Sequence, residues 1–512
     1  MKNLQRTALS LAGLLLGACS PSPVEQLALA QQDFARQNYH SARILLGRAL
    51  KEEPGNRAML LLQAQTLLRV GDGEAALGVV ERLKRAGLAP ALLATIEAEA
   101  HLLRGHPESA LRLLGADRSS DGWRVRAAAL LMLGREAEAL AAFRTGLAPG
   151  RDARLAGDYA RFLISTGDYP EAERQLELMQ RTRPQAIETL MLAGALAEAR
   201  GDTAEAMRTY RTAARRYPWL AAPLVAQANL KDLEGQLDQA AQLAEVAASI
   251  QPDDSSIVDL KLSIYSQQGK WALIRRMLQP RERMLDPASG TGMLYAEALL
   301  RLEHSEHARA ILSQAVIKAP NNRYARMMLG EAQLATGDSR AALATLRPLV
   351  EGVFVYPREL ELAERAATMQ DDPLAGRLRA DRESGAARQR TALIEQGLAA
   401  TAVSDWSAAL RIWRQLQGYG EDAELLRRIA DSASMVGQHE LACASADKAL
   451  GYQPGNAELL HLAGRVRLAG RRDLAKASEL LAAATAREPA NAHFRADLAR
   501  AQSLTARGSE AL

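Results

Sequence analysis

Residues Gln185–Pro218 read QAIETLMLAGALAEARGDTAEAMRTYRTAARRYP. Apolar residues recur at steps of three and four on both sides of a central Gly201-Asp202, the pattern of two amphipathic helices. Glycine can take the left-handed conformation that ends the first helix, and Pro218 cannot continue the second, so the stretch reads as a helical hairpin. A lone hairpin cannot bury both faces, so neighbours must stack and share a core.

Outward from this unit the spacing repeats. Gly71 and Gly105, then Gly167, Gly201, Gly235, Gly269 and Gly337, stand 34 residues or a multiple of 34 apart within each run. Pro184, Pro218, Pro252 and Pro320 keep the same step, as do Ala172, Ala206, Ala240, Ala308 and Ala342. Three residue types at fixed phases predict a quasi-one-dimensional solenoid.

The series Gly194, Ala206, Tyr210, Ala213, Pro218 resembles the tetratricopeptide repeat, a 34-residue helix-turn-helix unit with a small residue in helix A, alanine and then a bulky residue in helix B, and a terminal proline. The segments from Ala30 through Tyr39, Ala42 and Ala49 to Pro54, from Ala160 to Pro184, from Ala228 to Pro252 and from Gly330 to Leu349 are similar. Later units are marked by Trp406, Ala409 and Trp413, by Gly437, Ala442, Ala449 and Pro454, and by Gly464 to Pro489, which carries one extra residue. The resemblance implies an all-α superhelical solenoid of about 13–14 repeats. Its parts are an array over 24–349, a degenerate repeat over 350–390 with Asp371-Asp372-Pro373 as its turn, further units over 391–490 and a capping helix over 491–512. Between Gly105 and Gly134 the step shortens to 29 residues, and a loop over Asp117–Trp123 is expected to disturb the stacking.

The first residues are of another kind. Lys2 and Arg6 precede an apolar run from Ala8 to Leu16, too short for a permanent span, and Leu16-Gly17-Ala18-Cys19 follows. This resembles the lipobox of bacterial lipoproteins, which implies a signal peptide over 1–18, lipidation of Cys19 and a polar tether over 19–23. Ser20 in place of aspartate implies the outer membrane, with the body facing the periplasm. Cys443 is the one other cysteine, expected as a small buried thiol, so stability must come from stacking and not from disulfides.

Net charge is +4, and without Lys2 and Arg6 the count is 62 basic against 60 acidic residues, a net of +2. The signs are interspersed and aromatics are 4% of residues, which argues against nucleic acid as a partner. No catalytic constellation is present. His439-Glu440 begins like a zinc-protease helix, but Cys443 stands where a second histidine is needed; His304 and His307 lack companions and read as a solvated pair; Gly269-Lys270 lacks the upstream glycines of a phosphate loop. No metal, cofactor or enzymatic activity is expected.

The family phases put helix A on the inner wall of the solenoid, with Glu198, Asn229, Asp232, Asp259, Ser263, Ser266 and Glu297 on or near it. Two readings stand for this strip: an ordinary solvated helix face, or a polar, mildly acidic site for a peptide or a glycan flanked by Met293, Tyr324 and Met327. The function this implies is a non-catalytic scaffold or adaptor lipoprotein whose partners are envelope proteins of an export or assembly machine. The lipobox and the early start of the repeats resemble the tetratricopeptide lipoproteins of exopolysaccharide export and PEP-CTERM sorting. The alternatives are a secretin or type IV pilus assembly lipoprotein and a solenoid regulator of an envelope glycan enzyme.

Overall fold

The computed structural model describes residues 21–147, 152–252, 254–489 and 491–509, with side chains to 505. Cys19 and the signal segment lie outside the described residues. The chain divides into two compact units, the first ending at Gln268 and the second beginning at Gly269.

The first unit runs α1 (Pro23–Ala35), α2 (Tyr39–Glu52), α3 (Arg57–Arg69), α4 (Gly73–Arg85), α5 (Pro90–Leu103), α6 (Pro107–Leu114), α7 (Ser120–Met132), α8 (Glu136–Leu147), α9 (Ala153–Ser165), α10 (Tyr169–Thr182), α11 (Ile187–Ala199), α12 (Thr203–Arg216), α13 (Ala222–Leu233), α14 (Leu237–Ile250) and α15 (Ser255–Gln267). The second runs α16 (Trp271–Leu278), α17 (Gly290–Arg301), α18 (Ser305–Lys318), α19 (Arg323–Ala335), α20 (Ser339–Val350), α21 (Pro357–Met369), α22 (Leu374–Glu383), α23 (Ala386–Ala402), α24 (Trp406–Leu416), α25 (Ala423–Met435), α26 (His439–Tyr452), α27 (Ala457–Ala469), α28 (Leu474–Arg487) and α29 (Ala492–Ser509). Among the described residues there is no strand. In the first unit α1 to α14 make seven A–B pairs followed by α15, and in the second α16 is followed by six pairs, α17 to α28, and the terminal α29, the all-α repeat solenoid that the spacing predicts.

One backbone device makes every hairpin. Between A and B stands a left-handed residue: Gln37, Gly71, Gly105, Gly134, Gly167, Gly201 and Gly235 in the first unit, and Glu303, Gly337, Asp371, Ser404, Gly437 and Arg471 in the second, where Gly269 stands likewise ahead of α16, with φ from 49° to 83°; after Arg471 the α28 cap Asp473 is left-handed too, at 45°. Glycine is the natural occupant because it has no Cβ to clash there. Where aspartate follows, as at Asp72, Asp168, Asp202, Asp338 and Asp405, its carboxylate caps helix B by accepting from the amide three residues on at 2.9–3.3 Å.

A second device joins A to B. The small residue of helix A sits against the bulky residue of helix B: a Cβ on Gly330 would lie 2.4 Å from Leu346, on Gly397 2.4 Å from Trp413, and on Gly464 2.6 Å from Leu481. Elsewhere alanine fills the position, and Ala30, Ala64, Ala98 and Ala160 are wholly buried. The alanine ladder of helix B, from Ala42 and Ala76 through Ala206 and Ala240 to Ala442 and Ala477, is wholly buried too. Each A helix packs on the next from α1 to α11, and α13 packs on α15; in the second unit α17 to α23 and α25 to α29 do likewise. The A helices therefore line one face of each stack, interrupted between α11 and α13 in the first unit and between α23 and α25 in the second.

Two irregular places differ from expectation. The shortened step comes from helix α6, of only eight residues, and α7 already begins at Ser120, so the loop covers little more than Gly115–Ser119 and A-on-A packing continues from α5 to α7. Asp117 organises it by accepting from the Thr95 hydroxyl at 2.6 Å and the Ser119 amide at 2.8 Å.

In the second unit, α21 and α22 pair across a turn in which Asp371 is left-handed. Ahead of them Val353, Phe354 and Val355 form a non-helical strap that is almost wholly buried and turns on itself where the Val355 amide donates to the Val353 carbonyl at 3.1 Å. Arg323 clamps the strap by donating to the carbonyls of Leu349 (3.1 Å) and Phe354 (2.7 Å) and to the Glu359 carboxylate, while the Val353 amide donates to Asp422 at 2.6 Å.

Candidate interaction surface

The strip residues fall in both units. In the first, Asn229, Asp259 and Ser263 are exposed on the A helices α13 and α15, and Ser266 is half-buried. Asp232 accepts from Gln267 of the next A helix at 2.9 Å. Glu198 is held by its own hairpin, accepting from the Tyr210 hydroxyl at 3.0 Å; burial, with Glu198 beside it, pushes that phenol well up. In the second unit Glu297 accepts from the Tyr324 hydroxyl at 2.8 Å and from Arg301 at 3.3 Å. Met293 is buried in the core and cannot flank a groove, and Met327 is half-buried against the core; Tyr324 is exposed. The open polar positions are thus Asn229, Asp259 and Ser263, with Asp232 at their edge.

Other polar clusters escaped the sequence reading. On the inner face of the first unit, Glu99 of α5 meets Arg124 (2.6 Å), Arg69 (3.3 Å) and Arg154 (3.6 Å), from α7, α3 and α9. Asp121 takes Arg154 at 2.9 Å and Arg124 at 3.2 Å, and Asp158 stands 3.8 Å from Arg124. Burial works against the charge of Arg124, but Glu99, Asp158 and Asp121 outweigh it and hold the guanidinium protonated. These residues sit at different phases of their repeats, because the network crosses the A helices on a diagonal. No ladder at a fixed phase could reveal them.

In the second unit α23 and α25 are not closely packed, and a cleft of about 170 Å³ opens between them, lined by Trp406, Trp413, Arg428, Ser432 and Met435. Arg428 lies over the rings of Trp413 (5.3 Å) and Phe354 (5.2 Å). At its rim Asp431 takes both Arg427 and Arg465. Such groups can hold a side chain or an anionic group; none is set as a nucleophile beside a base.

His307 is not a solvated partner of His304 but sits on Glu282, at 2.5 Å, which also accepts from the Tyr295 hydroxyl at 3.0 Å. Cys443 is half-buried, and burial pushes its thiol up, away from reactivity. Among the described residues no group of three or more His, Cys, Asp or Glu side chains could hold a metal ion.

Residues 27–90 and 295–351 match the tetratricopeptide repeat, one stretch in each unit, over α1 to α4 and α17 to α20. No curated protein matches the chain in sequence. Among solved structures it is similar to the Cut9–Hcn1 hetero-tetramer of the APC/C (16% identity, 94% of this chain and 98% of that one, TM-score 0.32), and to Naa15/Naa10 bound to HypK (15%, 96% and 67%, 0.29). It is also similar to pilF of Pseudomonas aeruginosa (18% identity, 42% and 91%, 0.30). At these identities and scores the likenesses carry no functional argument.

Proposed function

We propose that this chain is a non-catalytic tetratricopeptide scaffold of the bacterial cell envelope. It is anchored through a lipid on Cys19, faces the periplasm from the outer membrane, and gathers protein partners of an export or assembly machine, in exopolysaccharide secretion or the protein sorting associated with it. The observation that carries the reading is the A-on-A stacking: runs of successive A helices, such as α17 to α23, share one face, which suits recognition of an extended partner by several modest contacts. The lipobox Leu16-Gly17-Ala18-Cys19 supports the anchor. Among the described residues no helix is long and apolar enough to cross a membrane, consistent with attachment by lipid.

Metabolic labelling with a fatty acid and envelope fractionation test the anchor. Wild type should carry label and fractionate with outer membranes, and Cys19→Ser should lose both properties. Unlabelled wild type, or wild type found in the soluble fraction, contradicts the anchored scaffold.

A further inference from the structure

Within the first unit, the inner face of the first six hairpins closes on itself. Gln37, the left-handed residue of the first hairpin, donates through Nε2 to Oε1 of Glu188 in the first turn of α11, at 2.6 Å and 151 residues away in sequence. Around this contact lie side chains from the A helices between. Arg69, Arg124 and Arg154 converge on Glu99; Asp121 takes two of the three, and Asp158 stands by Arg124. Tyr39, in the first turn of α2, is within electrostatic reach of Arg69, Glu188 and Arg154, from the second, sixth and fifth hairpins.

An A face lining an open groove would leave such charges in water. Here Arg124 is 8% exposed as a residue, and the side chain of Glu99 13%. Three guanidinium groups and three carboxylates, with Arg161 on Asp158 at the margin, form an ionic plug centred on the buried Glu99 and Arg124, while Asp121 at its edge meets water. The hydrophobic contacts that hold each hairpin, such as those among Ala98, Ala110 and Leu114, do not involve it.

We propose that the plug is a latch. It holds hairpins one to six as a closed ring whose inner face is withheld from partners until the Glu99 hub is broken. The physics gives the latch two properties. Removing one partner alone leaves a buried unpaired charge, which is strongly unfavourable, whereas replacing both by uncharged groups of similar bulk leaves packing intact. The closed state is therefore opened by a change in the hub itself, and the hairpins survive the opening because their cores lie elsewhere.

Distance measurement between spin labels tests this in the full chain carrying Cys19→Ser and Cys443→Ser, with labels at His40→Cys and Gln185→Cys, exposed positions beside the contact. The parent should give one short, narrow distance. The paired change Glu99→Gln with Arg124→Met should lengthen and broaden it while helical content is kept. A broad distance in the parent, or an unchanged one in the folded pair variant, overturns the latch. Should the pair variant lose helix, Glu99→Gln with Arg69→Met decides, since Arg124 and Arg154 then keep Asp121 and Asp158 as partners and no charge of the hub is left alone. Broadening there supports the latch and an unchanged narrow distance overturns it.

Discussion

A Cβ placed on Gly194 would stand 2.2 Å from Cε1 of Tyr210, so helices α11 and α12 touch where glycine leaves backbone bare and tyrosine fills the space. Tyr210 is 3% exposed and tied to Glu198, and so cannot give way cheaply. Glycine in a helix ordinarily costs about 0.5–1 kcal/mol relative to alanine, but overpacking a filled site costs about 1–3 kcal/mol. Overpacking wins here, and Gly194→Ala should lower the melting temperature. At Gly78 in α4, where a Cβ would meet nothing within 4 Å, only the helix term remains, and Gly78→Ala should raise it. Thermal melts of the two variants check the pair, and the same sign for both contradicts this packing.

The same contrast holds for alanines two residues apart. Ala206 is wholly buried between helices, whereas Ala204, near the Gly201-Asp202 turn, is exposed. Ala206→Leu should cost about 1–3 kcal/mol. Ala204→Leu should stay within about 0.5 kcal/mol of wild type, as surface changes do. Denaturant unfolding of both variants measures the difference, and equal effects would place the register wrongly.

Five of the fourteen left-handed turn positions carry a side chain: Gln37, Glu303, Asp371, Ser404 and Arg471. A left-handed L-residue is disfavoured by about 1–2 kcal/mol, and glycine removes most of that cost. Glu303→Gly and Arg471→Gly should therefore each stabilise the chain by about 1 kcal/mol. Calorimetry that finds either variant destabilised contradicts the turn geometry.

These same positions explain how far the sequence can be read. Nine turns show glycine and form the visible ladder; where Glu303 or Ser404 stands instead, the hairpin is as well formed but its punctuation is silent. The strap at Val353–Val355 reads as an apolar run without helical period, and only the long-range contacts of Arg323 and Asp422 give it a place. The polar strip was legible as a phase, but its accessibility was not. Glu198 of α11 and Glu297 of α17 lie on A helices, as Asp232 of α13 does, yet each is taken by a tyrosine hydroxyl, of Tyr210 and of Tyr324, whose reach no spacing encodes.

Acid should loosen the pairing of α21 with α22. Glu364 of α21 accepts from Arg382 at 3.0 Å and Arg379 at 3.2 Å, both on α22. The Arg382 hydrogen bond, against some burial and with help from Arg379, holds its carboxyl below the usual range. A depressed carboxyl contributes stability that is present above its unfolded pKa of about 4.3 and lost as pH falls through the lower folded value. Glu364→Gln should melt earlier than wild type at neutral pH, and the gap should close in acid. A gap that stays constant with pH would mean the pair is not ionic.

The proposed gathering of partners along the A-helix face puts their contacts at Asn229 and Asp259, which are exposed, and at Asp232 beside them. Solvated side chains contribute little to folding, so Asn229→Ala, Asp232→Ala and Asp259→Ala together should leave helical content and melting temperature nearly unchanged. The direct measurement is cross-linked capture of envelope proteins by wild type and by this triple variant, over a range of salt. The prediction is that the variant loses partners that wild type holds, and that wild-type capture weakens as salt rises, since exposed charges are screened over about 8 Å at physiological ionic strength. A triple variant that folds normally and captures the same partners at the same yield would contradict it.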